Sequence, residues 1–375
     1  LLVDIFGRGL YSSMVWVFRS TILYALGAVT YDLLRPGPLA DIGIYRPLVV
    51  LWGLVWIVNV LLSRRERDIE LHVLQVVFLV TFILVVIDQL ISIGVVSWRV
   101  QLEWPGFAVQ FFGLGFVAVH HFFANERKLQ SMEQEIEIAR RIQESNLPAT
   151  LNLPGGIDIA ARYVPMSAVA GDFYDIQANK GSGVGILIAD VSGHGVGAAL
   201  IGSMLKVCFA SQAAHIADPA HVLTEINRIL QGKIKDSFIT ACAVFIDCRS
   251  EIIRYSIAGH PPPFLLRKSN PEIIRLTHAG TILGPFPEVV YENEELRLAK
   301  GDRLVLYTDG LTETQSKSGE FYGDRRLETL INAHSDDSPE LSADHIVEQV
   351  VKWSRRSGGR SLDDDLTLIV ADVLT

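Results

Sequence analysis

Apolar positions dominate the first third of the chain and leave few polar faces between them. Leu, Val, Ile, Phe and Trp prevail over residues 1–124, whereas residues 125–375 have the mixed composition of a soluble domain. Four apolar stretches can be drawn, at 12–34, 47–62, 72–98 and 106–123. A membrane-spanning helix needs about 20 mostly apolar residues, and a helix of a soluble domain normally keeps a polar face. The pattern therefore predicts an α-helical transmembrane domain of about four spans over residues 1–124.

Basic residues predict the orientation of these spans. Arg64, Arg65 and Arg67 lie between the second and third stretches, and Arg127 and Lys128 follow the fourth. With four spans these two segments share one side of the membrane, and loops rich in Lys and Arg stay in the cytoplasm. We interpret the chain as a multi-pass protein of the cell inner membrane, in contact with membrane lipid, whose remaining residues lie in the cytoplasm.

A segment rich in helix-forming residues follows the apolar region. Residues 125–146 contain no Gly or Pro, and apolar residues recur in alternating three- and four-residue steps at Leu129, Met132, Ile136 and Ala139. Such spacing is typical of a short coiled-coil seam. It predicts an amphipathic linker helix over 125–148. This helix either lies on its own domain or, as we expect, forms a homodimer that carries a signal from the membrane to a helix predicted at 195–214.

After Pro148 the pattern changes to short β-rich runs with helical stretches between them. The predicted strands lie at 157–163, 184–189, 239–247, 252–258, 264–267, 304–307 and 366–372. The predicted helices lie at 195–214, 219–233, 323–333 and 342–354. Strands in hairpin-like succession with inserted helices favour an α+β fold of stacked sheet and helix layers. We therefore predict a second domain over residues 149–375.

Charge and cysteine content narrow the functions open to this domain. The formal net charge is −9, and binding to a nucleic-acid backbone requires a clustered basic face, so no nucleic-acid partner is expected. The three cysteines, Cys208, Cys242 and Cys248, have neither metal-ligand spacing nor an obvious pairing. We expect them to be small core residues.

Four aspartates of the second domain stand in short Gly- or Asp-rich motifs. The motifs are A-G-D-F-Y-D at Asp172, A-D-V-S-G-H-G at Asp190, Y-T-D-G-L-T-E at Asp309 and D-D-D-L-T at Asp364. One Asp-Gly alone indicates only a turn, but gathered carboxylates repel one another unless a cation compensates them. Four such settings therefore predict a site for Mg²⁺ or Mn²⁺, which prefer oxygen ligands, and metal-assisted hydrolysis as its chemistry.

The motifs together carry a family resemblance. Their order, with A-G-H-P-P between the second and third motifs and A-R-R-I-Q-E-S-N-L-P before the first, extends over about residues 135–375. It resembles the SpoIIE/RsbU-like branch of the PPM (type 2C) metal-dependent serine/threonine protein phosphatases. The resemblance implies an αββα sandwich with two Mn²⁺ or Mg²⁺ ions between the sheets. It also implies hydrolysis of phosphoserine or phosphothreonine by a metal-activated water, on a regulatory protein such as a STAS-type anti-anti-sigma factor.

The resemblance also implies roles for individual residues. Asp190 is expected to bridge both metals, with the carbonyl of Val191 as a further ligand. Asp309 and Asp364 are expected to bind one metal, and Asp172 to hold the second, directly or through water. Asp190, Asp309 and Asp364 are accordingly the expected catalytic residues.

Some assignments stay open in the sequence. The aspartate run at 363–365 allows more than one register, and Asp364 is chosen because a D-D-x-T pattern then ends on Thr367. His194 and His260 lie in Gly- and Pro-rich turns, where a structural role is favoured over proton transfer. The alternative to catalysis is a metal-stabilised docking module for a signalling partner.

Overall fold

The computed structural model describes Arg19 and residues 69–92, 94–98, 102–148, 156–179, 183–234, 237–270, 272–354 and 362–374. These residues belong to two compact units, Leu1–Met132 and Glu133–Thr375. The predicted spans at 12–34 and 47–62 lie outside the described residues, apart from Arg19.

Two long helices cover the described part of the apolar region. They are α1 (Ile69–Ser92) and α2 (Glu103–Asn146). Helix α1 is shorter than the span predicted at 72–98, because it ends at Ser92 and residues 94–98 are not helical. By length and composition alone, the segments His72–Ile91 and Ala108–Asn146 could each cross a membrane.

The predicted linker is the last part of helix α2. The helix continues through 125–146 and ends at Asn146, just before Leu147-Pro148. Glu137 accepts hydrogen bonds from Arg140 at 3.0 Å and from Arg141 at 3.1 Å. Oppositely charged pairs three or four residues apart on a helix surface support the helix. Residues 125–146 are therefore helical.

Two antiparallel sheets form the frame of the second unit. The first sheet has the order β1 (Ile157–Val164), β10 (Leu366–Val373), β9 (Arg303–Tyr307), β6 (Phe264–Leu266) and β7 (Ile273–Arg275). The second has the order β2 (Phe173–Asn179), β3 (Gly183–Val191), β4 (Ile239–Asp247), β5 (Ile252–Ala258) and β8 (Glu294–Arg297). The first sheet joins strands that are distant in the chain, since β1 pairs with β10 along its whole length.

Helices cover the outer face of each sheet. They are α3 (Val196–Ser211) and α4 (Pro219–Leu230) on the second sheet, and α6 (Asp324–Ala333) and α7 (Pro339–Ser354) on the first. A short helix, α5 (Asp309–Thr312), follows β9 directly.

Alternation along single strands produces these layers. In β3, Ile186 and Ile188 join the core between the two sheets, whereas Leu187 joins the core beneath α3 and α4. In β9, Leu306 joins the inter-sheet core and Val305 joins the core beneath α6 and α7. Successive side chains of a strand point to opposite faces of a sheet, so each central strand serves two cores. The expected αββα sandwich is confirmed.

Three strands were not predicted from the sequence. They are β2, β7 and β8, of which the last two have three and four residues. In β2 the polar Asp175 interrupts the apolar pattern, yet it is buried because its carboxylate pairs with Lys206 at 2.7 Å. A charged residue is buried only when it is paired, and that partner lies on α3, far along the chain.

Candidate metal centre

The predicted aspartates lie at the ends of strands in both sheets. In the second sheet Asp172 immediately precedes β2 and Asp190 is the last residue but one of β3, in an antiparallel pair that matches Phe173 with Ala189. In the first sheet Asp309 follows β9 and Asp364 precedes β10, in an antiparallel pair that matches Tyr307 with Leu368. Each sheet therefore contributes two of the four aspartates at one end of an antiparallel pair.

Burial and mutual repulsion raise the pKa values of these carboxyls. Burial, followed by the charges of Asp309, Asp364 and Asp365, raises the pKa of Asp190 to about 7. Burial also raises the pKa of Asp309, with Asp364 as the next cause. Burial raises the pKa of Asp172 well above its ordinary value, with Asp190 as the next cause. The aspartates from both sheets thus lie close enough for their negative charges to repel one another.

No Lys or Arg among the described residues compensates the charge of this cluster. Within the described ranges, no Lys or Arg nitrogen lies within 4.0 Å of the carboxylates of Asp172, Asp190, Asp309, Asp364 or Asp365. No three of these aspartates place one carboxylate oxygen each within 4.8 Å of one another. Binding of Asp190, Asp309 and Asp364 to one ion at the usual metal–oxygen distance would therefore draw their oxygens closer together. The donor set is entirely oxygen, which suits Mg²⁺ or Mn²⁺.

Asp172 is fixed in place by two threonines of the opposite sheet. Its Oδ2 accepts hydrogen bonds from Thr308 Oγ1 at 2.7 Å and from Thr367 Oγ1 at 2.6 Å. The amide of Thr367 in turn donates to Thr308 Oγ1 at 2.9 Å. These bonds favour the ionised carboxylate and hold the beginning of β2 against β9 and β10. Sequence reasoning missed Thr308, although it adjoins Asp309 in the Y-T-D-G motif.

The aspartate run at 363–365 divides into different roles. Asp365 is buried, and its two oxygens accept hydrogen bonds from the amides of Met166 at 2.8 Å and Gly171 at 2.6 Å. Asp364 is exposed and accepts a hydrogen bond from the amide of Asp365 at 2.8 Å. Asp365 is therefore engaged in holding the loop before Asp172, a role that the sequence motif did not reveal. Asp364 retains the open position that a ligand needs.

Two glycines allow neighbouring backbone segments to come close together at this site. A Cβ at Gly171 would stand 2.7 Å from the carbonyl oxygen of Val191 and 3.4 Å from Asp190 Oδ1. A Cβ at Gly310 would stand 1.9 Å from the carbonyl oxygen of Asp365. Gly171 thus brings the segment of Asp172 against Val191 and Asp190, and Gly310 brings the segment of Asp309 against the aspartate run.

The two histidines differ in their surroundings. His260 is buried, and its Nδ1 lies 2.8 Å from Thr240 Oγ1. Burial lowers the pKa of His260 to about 3, so the imidazole is neutral and held inside the fold. His194 is exposed in the turn after β3. The buried position of His260 agrees with the structural role expected for it. The exposed position of His194 does not indicate a role.

The end of helix α2 also contacts the site. Gln143 is buried, and its amide forms two hydrogen bonds with the backbone of Ala170: Nε2 donates to the carbonyl at 2.7 Å and Oε1 accepts from the amide at 3.0 Å. Asn146 donates to Ser203 of α3 at 3.0 Å. Nothing in the sequence pattern distinguished Gln143 from the other polar residues of the linker.

Comparison with known proteins identifies relatives of this chain. The family model described as Stage II sporulation protein E (SpoIIE) matches residues 180–374. Phosphoserine phosphatase RsbU of Bacillus subtilis (strain 168) is 32% identical over 242 residues, which are 64% of this chain and 70% of RsbU. Phosphoserine phosphatase RsbP of the same organism is 30% identical over 187 residues, which are 48% of this chain and 46% of RsbP.

Solved structures share the fold. The SiaA-PP2C domain of Pseudomonas aeruginosa superposes with a TM-score of 0.57 at 23% identity and covers 66% of this chain and 99% of that domain. The PP2C phosphatase domain of SpoIIE from Bacillus subtilis, with a fragment of its regulatory domain, superposes with a TM-score of 0.50 at 21% identity, over 58% of this chain and 63% of that one. The chain therefore belongs to the SpoIIE family of PP2C-type serine/threonine phosphatases.

Proposed function

We propose that the chain is a membrane-anchored, metal-dependent phosphoprotein phosphatase that hydrolyses phosphoserine or phosphothreonine on a regulatory protein. The observation that carries this proposal is the group of strand-end aspartates from both sheets, which no Lys or Arg of the described residues compensates. RsbU and RsbP, whose names describe phosphoserine phosphatases, support the substrate class. A phosphorylated STAS-type anti-anti-sigma factor is the partner that the motif resemblance favours.

The proposed metal ligands are those expected from the motifs. Asp190 and the Val191 carbonyl, Asp309, Asp364 and Asp172 would hold two ions of Mn²⁺ or Mg²⁺. When bound, such ions polarise phosphoryl oxygens and lower the pKa of water.

The chain's own residues orient that donor set. Thr308 and Thr367 hold one oxygen of Asp172, and Asp365 anchors the amide of Gly171 next to it. Asp172 is thereby positioned before an ion or a substrate arrives, and such positioning limits the reorganisation that electrostatic catalysis requires. The open side at the exposed Asp364 is where a phosphorylated protein segment would reach the centre.

An assay of binding and hydrolysis separates this function from the docking alternative. The full chain in detergent is mixed with a phosphoserine-containing STAS protein and Mn²⁺, and both complex formation and release of inorganic phosphate are measured. We expect phosphate release over many turnovers. Stable binding with no release would favour the non-catalytic docking module and contradict the phosphatase proposal.

The membrane anchor is part of the proposal. Apolar side chains are exposed along both helices of the apolar region, including Val76 at 60% and Phe111 at 75%, and such surface is stable in lipid rather than water. Residues 1–124 would form the membrane domain, residues 125–148 the linker and residues 149–375 the cytoplasmic phosphatase. Multiple spans in the cell inner membrane remain a prediction from the four apolar stretches.

The linker is proposed to form the dimer contact and to control the metal centre. Leu129 and Met132 of the predicted seam are about half exposed, at 52% and 51%, and a parallel partner helix would cover them. The end of the same helix holds Ala170 through Gln143, two residues before Asp172. A displacement of the helix would reach Asp172 through that contact.

Replacing Gln143 tests this coupling. We expect Gln143→Ala to raise the Mn²⁺ concentration for half-maximal activity about 10- to 100-fold, the range typical when a group supporting a metal ligand is removed. Gln134→Ala, a change at an exposed position of the same helix, should leave that concentration unchanged. Equal Mn²⁺ dependence in the two variants would show that the contact does not position Asp172.

The raised pKa of Asp190 predicts opposite pH trends for two quantities, the stability of the metal-free protein and its affinity for Mn²⁺. Without metal, the folded carboxyl titrates near 7, whereas in the unfolded chain it titrates near 3.9. The folded state therefore binds the proton more tightly, and the free energy of unfolding decreases as pH rises between these values. Metal requires the ionised form, so Mn²⁺ affinity should increase with pH up to about 7. Thermal unfolding in a chelator at about pH 5.5 to 8 measures the first trend, and titration calorimetry with Mn²⁺ over the same range measures the second. An Mn²⁺ affinity independent of pH would contradict the second trend.

A further inference from the structure

A second group of metal-ligating side chains lies between helices α6 and α7. His334 Nδ1 and His345 Nδ1 are 3.0 Å apart. Asp337 Oδ2 lies 2.8 Å from the first nitrogen and 2.9 Å from the second. Among the described residues this is the one group of three His, Cys, Asp or Glu whose ligand atoms all lie within 4.8 Å of one another.

The local fold brings these side chains together. His334 is the residue that ends α6, Asp337 lies in the turn after it, and His345 is on α7. The turn is held from within by Arg303, which is buried and donates to the carbonyl oxygens of His334 at 2.7 Å and Asp337 at 2.5 Å. The backbone that presents two of the three ligands is therefore fixed.

Arg303 is itself anchored. Its guanidinium pairs with the carboxylate of Asp372 through two hydrogen bonds, at 2.6 and 2.8 Å, so it is an oriented donor and not a mobile side chain. Supporting hydrogen bonds of this kind orient the ligands of metal sites. Here they act on the main chain of the ligand residues instead of on their rings.

The three ligand atoms form a nearly equilateral triangle. With edges of 2.8 to 3.0 Å, an ion at the usual distance of about 2.0–2.2 Å from each atom stands just above the plane of the triangle. The remaining positions of that ion face outward, since the side chains are 24%, 31% and 43% exposed for His334, Asp337 and His345. Two imidazoles and one carboxylate on one face of an ion suit divalent first-row transition metals.

We propose that His334, Asp337 and His345 form a binding site for a divalent first-row transition metal, for which Zn²⁺ is the probe ion. The site would fasten the turn after α6 to α7. This site has two nitrogen ligands, whereas the aspartate centre has only oxygen ligands. Mg²⁺ prefers oxygen, so Mg²⁺ added to fill the aspartate centre should not displace a transition metal from this site. The proposal does not depend on the phosphatase activity.

Zn²⁺ binding to the full chain tests the site. Equilibrium dialysis in detergent, with excess Mg²⁺ to saturate the aspartate centre, is performed on the wild type, His334→Gln and His345→Gln. We expect one Zn²⁺ per wild-type chain at this site and at least about a tenfold loss of affinity in either variant, as for the loss of a group that a metal site depends on. At 100 times Kd, Zn²⁺ should raise the Tm of the wild type by about 5–10 °C and that of the variants by less.

A second histidine pair provides the matched control. The rings of His215 and His221 have centroids 4.6 Å apart, but within the described residues no carboxylate completes that pair inside the same 4.8 Å limit. His221→Gln should therefore bind Zn²⁺ as the wild type does. Zn²⁺ affinity that is unchanged in His334→Gln and His345→Gln, or lost equally in His221→Gln, would overturn the proposal.

Discussion

Asp309→Asn is expected to lower metal-dependent phosphate release at least about 100-fold, because Lewis-acid stabilisation amounts to several kcal/mol and each 1.36 kcal/mol is a factor of ten in rate. The variant keeps the shape of the side chain and removes the charge that a metal needs. Burial and the charge of Asp364 already raise the pKa of Asp309, so neutralising it removes repulsion. We therefore expect the metal-free Tm of Asp309→Asn to equal or exceed that of the wild type.

A second aspartate provides the control for this result. Asp324→Asn makes the same chemical change at the beginning of α6, where the carboxylate pairs with Arg275, and phosphate release should stay within about twofold of the wild type, as for surface substitutions. Steady-state rates at several Mn²⁺ concentrations, together with Tm in a chelator, distinguish the two variants. A fully active Asp309→Asn would remove this residue from the proposed site.

Gly310→Ala should also abolish activity, but for a steric reason. The new Cβ would stand 1.9 Å from the carbonyl oxygen of Asp365 and 3.0 Å from its carbonyl carbon, and both are backbone atoms that cannot rotate away. The segments of Asp309 and Asp364 would have to separate. We expect a loss of activity of at least about 100-fold, and a decrease in Tm of about 5 °C for a strain of the usual 1–3 kcal/mol.

Gly197→Ala is the matched control for this substitution. Gly197 lies in the first turn of α3, close in sequence to Asp190, and a Cβ there meets nothing within 4 Å. Alanine favours a helix by up to about 1 kcal/mol over glycine, so activity should persist and Tm should stay the same or rise. If Gly310→Ala behaved like Gly197→Ala, the close approach of the two segments would not be required for the site.

The two variants together separate charge from geometry. Asp309→Asn should lose activity while keeping its metal-free stability, whereas Gly310→Ala should lose both. Loss of stability in both would instead indicate that the aspartate cluster contributes to the fold, contrary to the repulsion that raises its pKa values.

Local patterns made much of the fold predictable. The runs at 239–247 and 252–258 coincide with β4 and β5, because two β-rich segments on either side of a short turn carry their own boundary signals. The strand-end positions of Asp190 and Asp309 were likewise visible as an apolar run that stops at a carboxylate. The layered αββα arrangement came from the motif resemblance rather than from periodicity.

Long-range contacts were not predictable from the sequence. The bonds from Thr308 and Thr367 to Asp172 depend on the packing of two sheets against each other, and no sequence spacing encodes that. Gln143 continues the seven-residue spacing of Ile136, yet it is buried against Ala170 of its own domain. The cluster of His334, Asp337 and His345 depends in the same way on long-range packing. It requires α7 to pack against α6, and it requires the hydrogen bonds from Arg303 to the turn after α6.

The most direct test of the proposed metal centre is phosphate release from a phosphoserine-containing protein by the purified full chain. Release is followed first with Mn²⁺, then after chelation, then after Mn²⁺ is restored. The proposed site predicts release with Mn²⁺, loss on chelation and full recovery on restoration, with none of the three phases altered by Asp324→Asn and all of them suppressed in Asp309→Asn. Release that continues unchanged in the presence of the chelator would contradict a metal-dependent phosphatase centre built from these aspartates.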